Sequence, residues 1–458
     1  MRFLSACLLS LSLLASSPAT AEPLRDRLVI IGIDGLTFEV VDPLVAQGKL
    51  PTFQKLMDSG SRAILMSEKP MRSPALWTTI ATGQPRATHR IFDFVTGSWY
   101  WPKAERHKKQ RLVTSDMRAS PAIWNMASEA SKKSVVVGWL NTWPAEEVNG
   151  VMIAPYVALG RKKQTSIKGK IYQDAKRQTW PTRLHREITP LIRSAESVTD
   201  AEVAQIVEEP PKKSILYRKV PKLDRYLYTV RWSIASALTN TALVENQLQE
   251  NPNTDLVMTY FDGTDTLAHR FWLMRQPLKE IRKRLKNQGL DPKIAGKLKR
   301  HFAGVVDAYY VFIDQMLARL VKAAGPSANI LIVSDHGWGD LQRDRVIHPT
   351  VPFDGRHTLE GALIASGPAF GRGTLKAKTI YDVVPTSLYA MGIPVPSNLP
   401  GEVPFDLFTP KFKELYPHLV VAKTNASTTK AGRNEPSAEP SHFEETEVER
   451  LRSLGYVQ

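Results

Sequence analysis

The chain predicts an α/β fold: a doubly wound, mostly parallel sheet flanked by helices, with a mainly helical insertion. Three observations carry this. Short apolar runs alternate with helical segments over residues 28–156, and the sheet pattern resumes at 255. Between them, from about 157, the texture changes to a basic stretch without strand signals, followed by helical spacing. The hydrophobic fraction of 43% over 458 residues suits one large α/β domain with an insertion, or two to three smaller domains.

The elements follow in chain order. Arg2, the apolar run Phe3 to Ala15 and Ala19-Thr20-Ala21 read as a secretory signal peptide cut after Ala21, which predicts a periplasmic or secreted protein. That run is too short for a membrane span, and no later run reaches span length. Leu4-Ser5-Ala6-Cys7 resembles a lipoprotein processing box but lies too early. Cys7 is the only cysteine, so the mature chain has neither disulfides nor a cysteine nucleophile nor a thiolate metal site. Residues 22–156 form the first part of the core, with Leu28 to Ile33 and Val135-Val136-Val137-Gly138 as strands and Val151 to Ala154 as a weaker one.

Residues 157–250 read as the insertion, a cap over the sheet edge. Arg161-Lys162-Lys163, Lys168, Lys170, Lys176, Arg177 and Arg183 crowd its start, and Glu209-Pro210-Pro211-Lys212-Lys213 punctuates it. Leu223, Leu227, Val230, Ile234, Leu238 and Leu248 then recur at near-helical spacing. The basic side chains either face a substrate or are simply solvated. The second part of the core spans 251–410, with runs Leu256 to Tyr260, Ile330 to Val333 and Gly361 to Ala365. A helix is expected over 302–322, with Phe302, Val305, Val306, Tyr309, Phe312, Ile313, Met316 and Leu320 on its apolar side. Lys378 to Gly392 reads as a last core helix after a short strand. Residues 411–442 read as a linker, rich from 423 in Thr, Ser, Ala, Pro and charge, and 443–458 as a terminal helix.

Net charge is +16, and loss of the leader removes Arg2 and no acid. Such a charge steers anionic partners inward, or gives solubility with adhesion to an anionic surface.

The chemistry-bearing residues sit at the ends of the apolar runs. Asp34 ends the first. Asp335 and His336 follow Ile330 to Val333, Asp265 and His269 follow Leu256 to Tyr260, and His357 precedes Gly361 to Ala365. A parallel sheet of these four strands gathers them at one edge, where open α/β sheets bind ligands. Mixed Asp and His ligands suit zinc or a similar divalent ion, and seven candidates with Ser73 are too many for one tetrahedral metal and about right for two. Each also has an ordinary reading. Asp34 and Asp335 suit helix or strand caps. Asp265 and His269, at i and i+4, suit a surface ion pair, and Asp262 is a rival ligand. Ser73 in Arg72-Ser73-Pro74 reads as an N-cap whose hydroxyl meets the positive helix end. Thr78, Thr79 and Thr82 are alternative hydroxyls, expected inside the helix.

Ile33-Asp34-Gly35, Ser73-Pro-Ala-Leu-Trp-Thr-Thr-Ile-Ala-Thr-Gly83, Asp265-x-x-x-His269, Ser334-Asp335-His336-Gly337 and His357-x-x-x-Gly361-Ala-Leu-Ile-Ala-Ser-Gly367 together resemble the alkaline phosphatase superfamily. Order and spacing are most similar to its type I phosphodiesterase/nucleotide pyrophosphatase-like branch, which includes predicted bacterial phosphohydrolases and phosphomutases. The likeness covers 28–156 and 251–408. It implies two zinc ions, one held by Asp265, His269 and His357, the other by Asp34, Asp335 and His336 with Ser73 bound to it as the alkoxide nucleophile, and a phosphoserine intermediate. Together with the leader, it implies an exported hydrolase of phosphoric esters, whose partner is an anionic phosphate-ester small molecule or a lipid headgroup rather than a specific nucleic acid sequence. A phosphotransferase or phosphomutase, or an inactive anion-binding relative, are the alternatives. One departure is Leu76, where many phosphodiesterases of the family place an Asn that holds the phosphoryl oxygens. Arg72, Asn141 or a basic residue of the insertion are the substitutes. Sulfatase activity does not fit, because Ser73-Pro-Ala-Leu lacks the formylglycine context.

Overall fold

The computed structural model describes residues 26–106, 110–155, 177–339 and 354–421, together with 444, 445 and 448. The leader, residues 422–442 of the expected linker and most of the terminal helix lie outside those residues. The start of the expected linker is instead ordered, with helix Pro410–Leu415 burying Phe412 in the core and Val420–Val421 pairing with Val395–Pro396, because its apolar residues find the sheet's helical layer.

The strands that position the site are β1 (Leu28–Ile33), β2 (Ser61–Met66), β3 (Ser134–Val137), β4 (Gly150–Ile153), β5 (Thr179–Trp180), β6 (Leu256–Phe261), β7 (Asn329–Val333), β8 (Gly337–Gly339), β9 (Arg356–Thr358), β10 (Glu360–Ser366), β11 (Gly373–Thr374) and β12 (Lys378–Thr379). All but β8 and β9 join one sheet, ordered β11-β2-β10-β7-β1-β6-β3-β4-β5, with β12 also on β2. The central strands are parallel: β1 pairs with β6 and β7, and β3 with β6 and β4. β1 is buried throughout, as a strand covered on both faces must be. Val29, Ile31 and Ile33 face one hydrophobic core with helices Phe38–Ala46, Pro51–Ser59, Gly263–Phe271 and Val305–Ala324. Leu28 and Ile30 face the opposite core with helices Ser73–Thr82, Ile123–Glu129 and Val383–Met391. Helices on both faces make the sheet doubly wound.

The four-strand expectation needs one correction. β10 runs antiparallel to β7 and to β2. Hydrophobic periodicity is the same whichever way a strand runs, so direction was not legible. The correction preserves the outcome, because residues that precede an antiparallel strand lie at the edge where the parallel strands end. His357 therefore still arrives beside His336 and Asp265. β2 was not anticipated: its polar start, Ser61-Arg62, and alternating burial mark a strand near the sheet edge rather than an apolar run.

The segment read as an insertion is more closely woven into the core than a cap. Its β5 extends the sheet by antiparallel pairing with β4. Its long helix, Leu223–Glu250, buries Leu223, Leu227, Val230, Ile234 and Leu248 in the same core as Val29 and Ile31 and packs on β3, β6 and helix Val305–Ala324. Deleting 157–250 would strip one face of the sheet of its longest helix, so the variant is expected not to fold. A cooperative melt of that variant would show the helix to be dispensable. The last core helix begins later than the reading from 378, at Val383, and ends at Gly392, whose left-handed φ of 76° terminates it.

Candidate metal and active site

Register explains how residues some 300 positions apart meet. Gly32 of β1 is level with Tyr260 of β6 and Val333 of β7, so the residues that follow these strands leave the sheet side by side. Gly35 is fixed here for two reasons: its φ is +67°, and a Cβ would stand 2.4 Å from Trp338 Nε1. The β8–β9 hairpin then pairs Trp338 with His357, which lays the His357 ring on His336 at 3.7 Å between centroids.

The structure brings all six carboxylates and imidazoles together. Around His336 Nε2, Asp34 Oδ1 lies at 3.3 Å and Asp335 Oδ2 at 3.5 Å. In the other group, His357 Nε2 lies 3.2 Å from Asp265 Oδ1 and 3.1 Å from His269 Nε2, and His269 Nε2 lies 3.5 Å from Asp265 Oδ2. A tetrahedral ion with bonds of about 2.0–2.2 Å sets its ligand atoms about 3.3–3.6 Å apart. Both trios are close to that spacing. His336 also reaches Asp265 Oδ1 at 3.6 Å and can be grouped with Asp265 and His357. Its ring is nearly parallel to that of His357, at 19°, so the two rings lie face to face instead of pointing to a common centre. His269 is the better third member, because Asp354 Oδ1 holds its Nδ1 at 2.9 Å and leaves Nε2 facing the pair. Asp262 joins neither group among the described residues.

The hydrogen bonding leaves places for cations. Asp34 Oδ1, Asp335 Oδ2 and His336 Nε2 are buried and have no hydrogen-bond partner. Buried polar atoms of this kind are rare unless an ion or water completes them. The other atoms of the same residues are fixed. Trp77 Nε1 and Tyr260 Oη donate to Asp34 Oδ2 at 2.9 and 2.6 Å, and Gly35 N donates to Asp335 Oδ1 at 3.3 Å. His336 Nδ1 faces Gly337 O at 3.1 Å, which turns Nε2 toward the carboxylates.

The electrostatics of the cluster agree. Burial alone would lower His336, but Asp335, Asp34 and Asp265 outweigh it and push the imidazole up to about 10. Burial and the neighbouring Asp34 raise the Asp335 carboxyl well above its usual range. Burial and the His336 charge depress His357 to about 4. Burial raises Asp265, yet His269, His357 and His336 outweigh it and hold it low. The cluster is short of positive charge, and protons take the place a divalent ion would fill.

Ser73 is buried in the first turn of helix Ser73–Thr82. It is not the N-cap expected. Arg72 caps, because its carbonyl already accepts from Ala75 and Leu76 at 2.9 and 3.0 Å. Trp77, one turn further along the same helix as Ser73, reaches the cluster by donating to Asp34 Oδ2. Trp77 crosses β1 where Gly32 leaves room, since a Cβ there would meet its ring at 2.7 Å. The alternative hydroxyls are engaged elsewhere: Thr78 and Thr82 donate to carbonyls one turn back, and Thr79 meets His89. Of the proposed substitutes for the missing Asn, Arg72 pairs with Asp93 at 2.7 Å. Asn141 sits in the left-handed region, φ 62°, and donates to Pro74 O at 2.8 Å and Thr78 Oγ1 at 3.0 Å, beside the start of the Ser73 helix.

Asp354, Tyr260 and Trp77 were missed by the sequence reading. A tyrosine or tryptophan in a buried run needs a polar partner, which was the available signal for the last two. Tyr260→Phe is expected to weaken metal binding at the Asp34 group about tenfold or more, as supporting residues around metal ligands do. Chelator competition measures it, and unchanged affinity would reduce Tyr260 to a packing residue.

His89 gives a pH prediction independent of this cluster. Burial, with Arg86 and Arg118, lowers it to about 3. Its Nδ1 accepts from Ile91 N at 3.1 Å, and its Nε2 meets Thr79 Oγ1 at 3.1 Å, so the neutral ring is the one that fits. Below the unfolded value of about 6.5 the unfolded chain takes up a proton that the folded chain refuses, so stability falls with pH. The loss by pH 5 is about 2 kcal/mol. Denaturant titrations of wild type and His89→Gln should differ in slope between pH 6.5 and 4. Parallel curves would count against it.

Comparison with known proteins adds the following. Residues 28–412 match the family described as type I phosphodiesterase / nucleotide pyrophosphatase. None of the curated proteins matches the sequence. Among solved structures, an alkaline phosphatase PafA variant is similar at 11% identity and TM-score 0.50, over 84% of this chain and 99% of that one. Inactive murine ectonucleotide pyrophosphatase / phosphodiesterase 5 in complex with AMP is similar at 13% identity and TM-score 0.45, over 84% and 100%. Phosphonoacetate hydrolase from Sinorhizobium meliloti 1021 in complex with phosphonoformate gives 15% identity and TM-score 0.37, over 69% of this chain, which spans only 57% of that one. The alkaline phosphatase likeness supports the fold alone.

Proposed function

The chain belongs to the type I phosphodiesterase / nucleotide pyrophosphatase family, and from that membership we propose a metal-dependent hydrolase of phosphoric esters with Ser73 as its nucleophile. The observation that carries this is the pair of three-residue groups with ligand spacing, one of which holds three buried atoms without hydrogen-bond partners. Asp34, Asp335 and His336 would hold one divalent ion, and Asp265, His269 and His357 a second. Both are taken to be zinc, because mixed carboxylate and imidazole sets suit it. When bound, such ions polarise phosphoryl oxygens and lower the pKa of a coordinated hydroxyl.

The chain's own groups do the rest. Ser73 supplies the oxygen that attacks phosphorus, and a phosphoserine forms as the ester alcohol departs. Water then cleaves the phosphoserine and regenerates the hydroxyl. Trp77 and Tyr260 hold Asp34 so that one oxygen faces the site, and Asp354 does the same for His269. Leu76 is fully buried in the hydrophobic core, so it takes no part at the phosphoryl group. Asn141 is the amide best placed by its backbone and bonds to support the start of the Ser73 helix.

The substrate is an anionic phosphate ester, drawn in by the chain's strong excess of Lys and Arg over Asp and Glu. A panel of phosphomonoesters, phosphodiesters, phosphonates and sulfate esters, assayed with zinc, manganese and magnesium, tests the reading. Turnover of a phosphoric ester that chelation abolishes and zinc restores is expected. Absence of turnover across the panel with full metal loading would overturn it, and transfer to an added alcohol would redefine it as a phosphotransferase. Export with cleavage after Ala21 is part of the proposal, and N-terminal sequencing of the mature protein checks it.

A further inference from the structure

A second surface stands next to the Ser73 helix. Ile91, Phe92, Trp101 and Val113 form a small separate core. The chain around it is well braced: Trp101 Nε1 donates to Val95 O at 2.7 Å, Thr96 N to Arg111 O at 2.8 Å, and Val113 N to Phe94 O at 2.9 Å. Yet this braced loop turns Trp99 out to 75% exposure and Tyr100 to 39%. Large aromatic rings are rarely left in water on a rigid loop without a partner to meet. Each ring has a guanidinium stacked over it. The Arg106 guanidinium lies 4.3 Å over the Trp99 ring, and that of Arg72 lies 4.6 Å over Tyr100. Lys103 is exposed on the same loop, and Arg90 is nearly half exposed. The loop's two acids are neutralised: Glu105 pairs with Arg90 and Asp93 with Arg72, each at 2.7 Å.

We propose that the Trp99–Tyr100 loop is a docking surface for an anionic lipid bilayer. Protruding tryptophan and tyrosine, each with an apolar body and a polar tip, settle at the level of lipid headgroups. Lys103 and Arg106 add attraction to anionic headgroups, as does the overall charge of +16. No described helix is long and apolar enough to cross a membrane, so the attachment is to one surface and reversible. Arg72, which touches Tyr100, directly precedes Ser73, so docking carries that end of the molecule to the lipid. The surface stands independently of the chemistry proposed for Ser73.

Sedimentation of the full chain with phosphatidylglycerol/phosphatidylcholine vesicles, against phosphatidylcholine alone, tests this. Binding to the anionic vesicles that weakens at high salt is expected. Trp99→Ala should lower the partition coefficient about tenfold, Trp99→Phe should restore much of it, and Lys103→Ala should lower it about fivefold. Thermal melts and turnover of a soluble ester should stay at wild-type level in all three. No binding to anionic vesicles, or equal binding by wild type and Trp99→Ala, overturns the proposal. A raised KM for aromatic diesters in Trp99→Ala, with vesicle binding unchanged, would also overturn it and assign the loop to the ester's leaving group.

Discussion

Ser73→Ala is expected to lower turnover of any accepted phosphoric ester by about 10⁴-fold or more while leaving the fold and metal content intact. A nucleophile that forms the covalent intermediate has no replacement within the site, so its loss removes the whole double-displacement route. The nearby hydroxyls offer none, since Thr78 and Thr82 donate to helix carbonyls and Thr79 meets His89. Ser73 itself is buried but small, and alanine suits the first turn of a helix, so stability should change by less than about 1 kcal/mol. Burst kinetics with an aryl diester, followed by mass spectrometry of the trapped protein, read both steps. Equal turnover by wild type and variant would remove Ser73 from the mechanism.

The second large effect concerns Asp335. Asp335→Asn should cut bound zinc from two ions to one and lower affinity at the Asp34 group by more than about 100-fold, because a neutral amide is a poor zinc ligand. The apo protein should not suffer. Burial and Asp34 push the Asp335 carboxyl well above its usual range, so without an ion its charge is costly to the fold. The amide has the size of the carboxyl and carries no charge to set against Asp34. Apo melting temperature is therefore expected to be unchanged or higher, while the gain on adding zinc shrinks. Elemental analysis and melts with and without zinc separate the two quantities. Full zinc stoichiometry in the variant would remove Asp335 from the ligand set.

Much of this site could be read before any coordinates. Asp34 and Asp335 stand directly after runs that only a strand buried on both faces would need, and a carboxylate there calls for a partner. Asp265 and His269 share a face because a helix repeats every 3.6 residues. What could not be read was anything decided by contacts across the chain. β10 has the same residue pattern in either direction, so its antiparallel run appears only when its neighbours are known. The stripe from Leu223 to Leu248 announced a helix but not which surface it would cover. Asp354 lies three residues before His357 yet serves His269, a pairing set by the β8–β9 hairpin. Tyr260 reads as one more apolar residue of its strand until the bond to Asp34 is seen.

The position of β1 has a consequence for how the molecule is made. It lies between β6 and β7, and the amide of Gly35 meets Asp335 from 300 residues away. The earliest strand to leave the ribosome must wait for its two neighbours until most of the polypeptide exists. Such distant pairings fold slowly, because long loops must close before any contact rewards them. A bound ion could not seed this process, since no short stretch carries a complete set of the candidate ligands. It would act as a latch, closing last and holding the two halves of the chain together.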